Sequence, residues 1–343
     1  MPGKRPRLAV TIGDAAGVGP ELVLRLASDS DIAERCQLLI YGNHEILQRV
    51  AASAGLTIPR SLRVCPGHAR TATDAHNTGE HALYDFPFDE AATITPGRVH
   101  AACGHHAHAW ICEAVRDIQT GHADALVTAP INKAALHAAG IQVPGHTELL
   151  ASLTNGATPC MAFHSDRVFV SLATIHEALR DVPDLLTVPG LLHTIRLTYD
   201  ACARFKGGQP RIAVLALNPH AGEGGLFGSE ERKVIAPAIA TARAEGLAVS
   251  GPLVPDTAFT WLAADQPSPY DGYVAMYHDQ GLIPFKMAAF DTGVNVTLGL
   301  PLIRTSPDHG TAFDIAWQGK ASPTSLACAI RLAARMVNSG DKQ

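Results

Sequence analysis

Short runs of Val, Ile, Leu and Ala recur along the chain and set its secondary-structure pattern. RLAVTIG, QLLIYG, ADALVTAP, RVFVSLAT, RIAVLALN and GYVAMYH are apolar runs of strand length. Longer Ala/Leu-rich segments of helical character lie between them, among them ELVLRLASD, HAWICEAVRDIQTG and SEERKVIAPAIATARAEG. This alternation predicts an α/β chain with a largely parallel sheet. Strands that are apolar throughout predict helices on both sheet faces. Residues 58–98, with the peptide HNTGEHALYDFPFDEAATITPG, have the weakest pattern and predict irregular structure. A chain of 343 residues exceeds the size at which a single core keeps growing. Two domains are expected, 1–135 with 300–343 and 136–299, the change falling in VTAPINKAALHAAGIQVPGH.

Composition narrows the class. A hydrophobic fraction of 47% with 17% charged residues is ordinary for a soluble enzyme. The net charge is −5, and no basic run exceeds KRPR, so nucleic acid is not an expected partner. LAVTIG is far too short for a signal peptide, and no apolar stretch reaches the ~18 residues of a membrane span. The seven cysteines are odd in number, scattered and without a CxxC pair. They predict reduced, packed thiols and a cytoplasmic protein.

Three histidines carry the chemistry. His176 in SLATIHEALRDVP, His220 in LNPHAGEGG and His278 in AMYHDQG each follow a predicted strand. Open parallel sheets bind ligands beyond the carboxyl ends of their strands. Imidazoles delivered there by three strands suit one divalent metal with positions left for substrate. Lone histidines at strand ends are otherwise ordinary packing residues, and it is the repeated placement that favours a site. Asn218 and Glu223 share the Gly-rich turn of His220, and Ser229 with two glutamates opens the next helix.

Other motifs suggest anion contacts. His146 and Thr147 in VPGHTELL fall at a helix start that would suit a phosphate or carboxylate, although Thr147 would also serve as a plain cap. Lys286, Asn295 and Arg304 follow His278 within one short stretch, and Lys and Arg are the usual anion holders. His309, Gly310 and Thr311 in SPDHGTAFDIAWQGKA lie in a polar turn able to frame an adenine or ribose. TIGDAAGVGPEL has its glycines as GxxxGxG, not the dinucleotide fingerprint, and reads equally as a phosphate cradle or a tight turn. The densest cluster, His105, His106 and His108 in GHHAH, reads as a solvated helix start.

Together these motifs resemble the 4-hydroxythreonine-4-phosphate dehydrogenase (PdxA) family from about Leu8 to Met336. TIGDAAGVGPE, VTAPINK, PGHTE, NPHAGEGG, PDTAF, AMYHDQG, GVNVTLGLP, IRTS and DHGTA carry the likeness, with Ala15 where the family usually has Pro. The resemblance implies a two-domain fold like isocitrate and isopropylmalate dehydrogenases, whose cofactor motif HGTAFDIAW echoes. It implies NAD or NADP held by His309, Gly310, Thr311 and Asp314 on the domain 1–135 with 300–343. It also implies a homodimer with a shared active site formed largely by 136–299. One divalent metal per subunit (Zn, Co or Mg) would be bound by His176 and His220 of one chain and His278 of the other. Substrate contacts carry over to His146, Thr147, Lys286, Asn295 and Arg304. Asp256, Asp279 and Lys133 are candidate general bases, or groups that merely orient others.

The implied reaction is oxidation of the C3 hydroxyl of 4-phosphooxy-threonine to a β-keto acid that decarboxylates, in pyridoxal phosphate biosynthesis. A 4-phospho-D-threonate or D-erythronate dehydrogenase is the alternative within the family, and a carboxylated cis-dihydrodiol dehydrogenase a more distant one. A non-catalytic phosphometabolite-binding module needs no metal, so the three histidines weigh against it. Metal-assisted phosphate-ester hydrolysis would favour carboxylate-rich ligation instead.

Overall fold

In a computed structural model, residues 5–68, 80–156 and 158–340 are described. Two compact units partition the chain, one formed by 1–158 with 300–343 and the other by 159–299. The first break therefore falls after Thr158 and not near residue 135. The helix Lys133–Ala138 packs on Ala101–Gln119, and Gly104 sits so close to Ala135 that a Cβ would meet its carbonyl oxygen at 2.1 Å. That contact ties the expected start of the second domain to the first.

The first unit is built on β1 (Arg7–Thr11), β2 (Gln37–Gly42), β3 (Arg63–Pro66), β4 (Ala82–Asp85) and β5 (Ala125–Thr128). The second unit holds β6 (Cys160–His164), β7 (Phe169–Leu172), β8 (Ile212–Leu215), β9 (Val249–Leu253), β10 (Gly272–Ala275) and β11 (Val294–Leu298). The chain then returns to the first unit as β12 (Arg304–Pro307). The first unit's strands run in the order β3-β4-β2-β1-β5-β12, all parallel. β1, β2 and β5 are buried at every position, as continuous apolar runs require. The stretch expected to be irregular supplies β3 and β4, while residues 69–79 within it lie outside the described residues. β3 alternates half-buried and exposed positions, the signature of an edge.

In the second unit the order is β11-β6-β7-β10-β8-β9, and only β6 runs against its neighbours. Its core joins Val170 and Leu172 of β7, Ala213 and Leu215 of β8, and Tyr273 and Ala275 of β10 to Leu282, Phe285 and Ala289 of the helix His278–Ala289. Gly281 lets that helix sit directly on β7, since a Cβ there would lie 2.7 Å from Val170 Cγ1. His278, at the helix start, is thereby pinned over the end of the strand that leads to His176.

Candidate active site

Hydrogen bonds join the strand ends that bear the three histidines. Beyond β7 and β10, Ala173 N–H donates to the Ala275 carbonyl at 2.8 Å, and Thr174 N–H and Oγ1 donate to Met276 at 3.2 and 2.8 Å. Gln280 continues the chain of contacts. Its Oε1 accepts from Met276 N–H and its Nε2 donates to the Ala216 carbonyl beyond β8, both at 2.7 Å. Sequence reasoning missed Thr174 and Gln280, although Gln280 lies in the same AMYHDQG motif as His278.

The His176 and His278 rings lie 5.8 Å apart, centroid to centroid. They border a cleft of about 320 Å³ with Glu177, Tyr277 and Asp279, and Leu179 at its side. His278 Nδ1 is 2.7 Å from Asp279 Oδ1. A carboxylate there fixes the tautomer with the proton on Nδ1 and leaves the Nε2 lone pair for a cation. Asp279 thus orients His278. Two imidazoles beside one cleft fit a divalent metal in donor type. His220 stands apart, its exposed ring 6.3 Å from Phe227. Among the described residues of the single chain, no three His, Cys, Asp or Glu side chains are gathered as a metal group.

The turn holding His220 is conformationally demanding. His220, Ala221, Gly222, Glu223 and Gly224 have φ of 50°, 53°, 79°, 41° and 68°. Left-handed backbone costs roughly 1–2 kcal/mol for each residue with a Cβ, so surrounding contacts must impose it. Glu223 is exposed within this turn.

The first unit holds an anion-suited pair. Arg304 is 3% exposed, and its Nη2 and Nε donate to Thr128 Oγ1 at 2.7 and 3.2 Å. Burial pulls its pKa from 12.5 to about 9, which still leaves it charged at neutral pH. Burial, and then the field of Arg304, hold the His146 imidazole well below its ordinary pKa, so it is neutral. His146 Nε2 is buried without a hydrogen-bond partner. A protonated Nε2 at that position would donate to a bound oxygen. Gly145 is the N-cap of the helix His146–Leu153, so the buried Thr147 lies within the first turn and is not its cap. Lys133 is exposed, its Cε 3.8 Å from the point a Cβ on Gly145 would occupy.

The turn after β1 is a tight turn, with Gly13 at φ 71° beside the Pro130 carbonyl. Four of its amides are bonded within the unit: Asp14 N–H to the Pro130 carbonyl, Ala16 N–H to Asp14 Oδ1, Gly17 N–H to the Asp14 carbonyl, and Val18 N–H to the Thr311 carbonyl. Thr311 is thereby braced from below. His309 and Gly310 are exposed, His309 Nδ1 lies 2.9 Å from the Gly310 carbonyl, and Asp314 is exposed.

In the second unit, Lys286 and Asn295 are half-buried, and Lys286 Nζ lies 5.4 Å from the Phe290 ring centroid. Asp256 is exposed in the turn after β9. In the first unit, His100 occupies the N-cap position of the helix Ala101–Gln119 without a side-chain capping bond, and that helix start is not uniformly solvated. His106 packs its ring 4.0 Å from that of Phe88, while His105 is exposed.

A family model described as pyridoxal phosphate biosynthetic protein PdxA matches residues 34–333. The chain belongs to the PdxA family. The 4-hydroxythreonine-4-phosphate dehydrogenase of Geobacter metallireducens is 46% identical over 98% of this chain and 97% of its own. The D-threonate 4-phosphate dehydrogenase of Salmonella typhimurium is 42% identical over 96% of this chain and 98% of its own. A crystal structure of 4-hydroxythreonine-4-phosphate dehydrogenase from Klebsiella pneumoniae superposes with a TM-score of 0.83 at 40% identity, covering 97% of this chain and 99% of that one. As a PdxA-family member the chain is an oxidoreductase of the dehydrogenase type. Among the described residues no helix is long and apolar enough to cross a membrane.

Proposed function

We propose that the chain oxidises the C3 hydroxyl of 4-phosphooxy-threonine to a β-keto acid that decarboxylates, using NAD or NADP and one divalent metal (Zn, Co or Mg). The observation that carries this reading is the His176–His278 pair with Asp279 on Nδ1, on strand ends tied to the one that leads to His220. His176, His220 and His278 would hold the metal. Arg304, His146 and Thr147, with Lys286 and Asn295, would hold the phosphate and carboxylate. His309, Gly310, Thr311 and Asp314 would hold the nucleotide. When bound, the ion lowers the pKa of a coordinated hydroxyl and stabilises developing negative charge, and the nicotinamide accepts hydride.

The protein's own part is positional. Arg304 presents a planar fork from a desolvated position, where its attraction for an anion is strengthened. Neutral His146 donates without adding charge. Asp279 keeps His278 in one tautomer. Lys133 and Asp256, both exposed, are the remaining candidates for moving the hydroxyl proton.

The exposed apolar residues of the second unit support a homodimer. The helix that starts at His278 turns Ile283, Met287 and Phe290 outward at 62%, 84% and 73% exposure, and Leu226 and Phe227 are exposed beside His220. Apolar side chains grouped around two metal ligands suit a subunit contact that completes the site with a partner's histidine. The cysteines are free, and burial pushes the Cys36, Cys103 and Cys160 thiols up to about 12, which suits a reducing cytoplasm.

D-Threonate 4-phosphate is the second reading, favoured by relatives of that name at 42% and 41% identity. The two substrates differ at C2, an amine against a hydroxyl. Reduced-cofactor formation at 340 nm from both, from 4-phospho-D-erythronate and from a carboxylated cis-dihydrodiol, with and without metal, ranks them. Turnover of none of the phosphorylated acids would refute the proposal.

A further inference from the structure

We propose that Glu231 is a positioning residue that holds His220 in the orientation it needs to take a metal, an inference that rests on the histidine reading above. Glu231 is buried and does not reach the imidazole itself. It acts on the backbone just before it. Its Oε1 accepts from the N–H groups of Leu217 and Asn218 at 2.9 and 2.7 Å, and its Oε2 accepts from Asn218 Nδ2 at 3.0 Å. Two residues later the chain enters the run of six positive φ angles from His220 to Gly225.

The carboxylate also abuts the middle of that run. A Cβ on Gly222 would lie 2.7 Å from Glu231 Oε2, so the left-handed turn is laid against this side chain. Glu230 completes the clamp, its Oε2 accepting from Asn218 Nδ2 at 2.7 Å and from Ser229 N–H at 2.8 Å. Glu231 in turn opens a π-helical turn, Glu231–Ile235, that runs into the helix Ala236–Ala244. Single π turns recur where a helix must re-aim a side chain at a functional site.

Only a carboxylate satisfies this arrangement in full. Three N–H donors converge on two oxygens that carry lone pairs and no hydrogens. A glutamine would turn an NH₂ group toward one of those donors. The left-handed turn would then lose one of its restraints, and the imidazole would sample orientations that do not bind.

Calorimetric titration of Co²⁺ alone into the metal-free protein tests this without an activity assay. Glu231→Gln should raise the Kd for Co²⁺ roughly 10- to 100-fold, the usual loss when a group that orients a ligand is removed. Hydrogen exchange at the Leu217 and Asn218 amides should accelerate in the same variant. His220→Ala serves as the reference. A Kd unchanged by Glu231→Gln but raised by His220→Ala would overturn the positioning role and leave the histidine reading intact. Unchanged binding in both variants would remove the histidine reading, and the Glu231 proposal with it. If Glu231→Gln does not fold, Glu231→Asp takes its place, because it keeps the charge but withdraws the oxygens. A Kd raised at least threefold by that variant supports the role, and a wild-type Kd overturns it.

Discussion

Thr174 Oγ1 donates to the Met276 carbonyl at 2.8 Å, joining the strand end that leads to His176 to the one that leads to His278. Thr174 is 8% exposed, so the bond is shielded from water. Thr174→Val keeps the shape and removes the donor, at a cost of about 1 kcal/mol. If the two histidines act together, kcat/KM should fall roughly fivefold while the thermal midpoint moves little. Equal kcat/KM in the variant would mean that the backbone pairing at Ala173 and Thr174 suffices.

His176→Ala, His220→Ala and His278→Ala should each be inactive yet folded, and chelation should silence the native protein until Zn²⁺, Co²⁺ or Mg²⁺ is restored. Mixing His176→Ala with His278→Ala protein after subunit exchange recovers part of the activity only if the partner supplies one of these two histidines; the 5.8 Å pairing of their rings within one chain predicts recovery instead from His176→Ala mixed with His220→Ala. Recovery from neither mixture would assign all three ligands to one chain.

Arg304→Lys preserves charge but replaces a planar fork with a point donor. Loss of a charge-assisted contact costs about 1.5–3 kcal/mol, a ten- to hundredfold fall in kcat/KM on the phosphorylated acid. The dephosphorylated substrate should lose less in the same variant. A uniform loss on both would mean that Arg304 serves Thr128 and the fold, and not the phosphate.

Two buried groups in the first unit pull stability in opposite directions over one pH range. Burial raises the Asp14 carboxyl from 3.8 to about 6, opposed by the Ala16 N–H, and Asp14 Oδ2 is buried without a hydrogen-bond partner. Its contribution is present below pH 4 and lost as pH rises through 6. Burial, and then the charge of Arg5, lower His81 from 6.5 to about 4. Its contribution is present above pH 6.5 and lost as pH falls through 4, because Nδ1 accepts from Leu38 N–H only when unprotonated. Each shift is worth up to about 3 kcal/mol. Asp14→Asn should therefore gain stability at pH 8 relative to pH 4, and His81→Asn should lose less than the native protein on acidification. Urea unfolding at pH 4, 6 and 8 measures both, and parallel pH profiles in all three proteins would contradict the assignment.

The runs that became β1, β2, β5, β7, β8 and β10 were legible because each is apolar at nearly every position. β12 was not. RTSP has no aliphatic residue, yet all four positions are buried. Thr305 is held by a bond from its Oγ1 to the Ala329 carbonyl and by pairing with β5, both distant in sequence. β3 and β4 were hidden by the turn-rich stretch around them. The histidines stood out through their position after strands, whereas Glu231 and Gln280 did not. Their roles depend on bonds to backbone groups 13–14 and 64 residues away, and no local spacing encodes that.

The second unit is one uninterrupted stretch of chain, while the first is closed by β12, which pairs with β5 and sets Arg304 against Thr128. As the polypeptide leaves the ribosome, every strand of the histidine-bearing unit emerges before β12 does. Until residue 304 appears, β5 has an open edge and Thr128 has no guanidinium to receive. The pairing of Arg304 with Thr128 is thus assembled only after the whole histidine-bearing unit has emerged, and a nascent chain stopped short of β12 has its histidines but no Arg304.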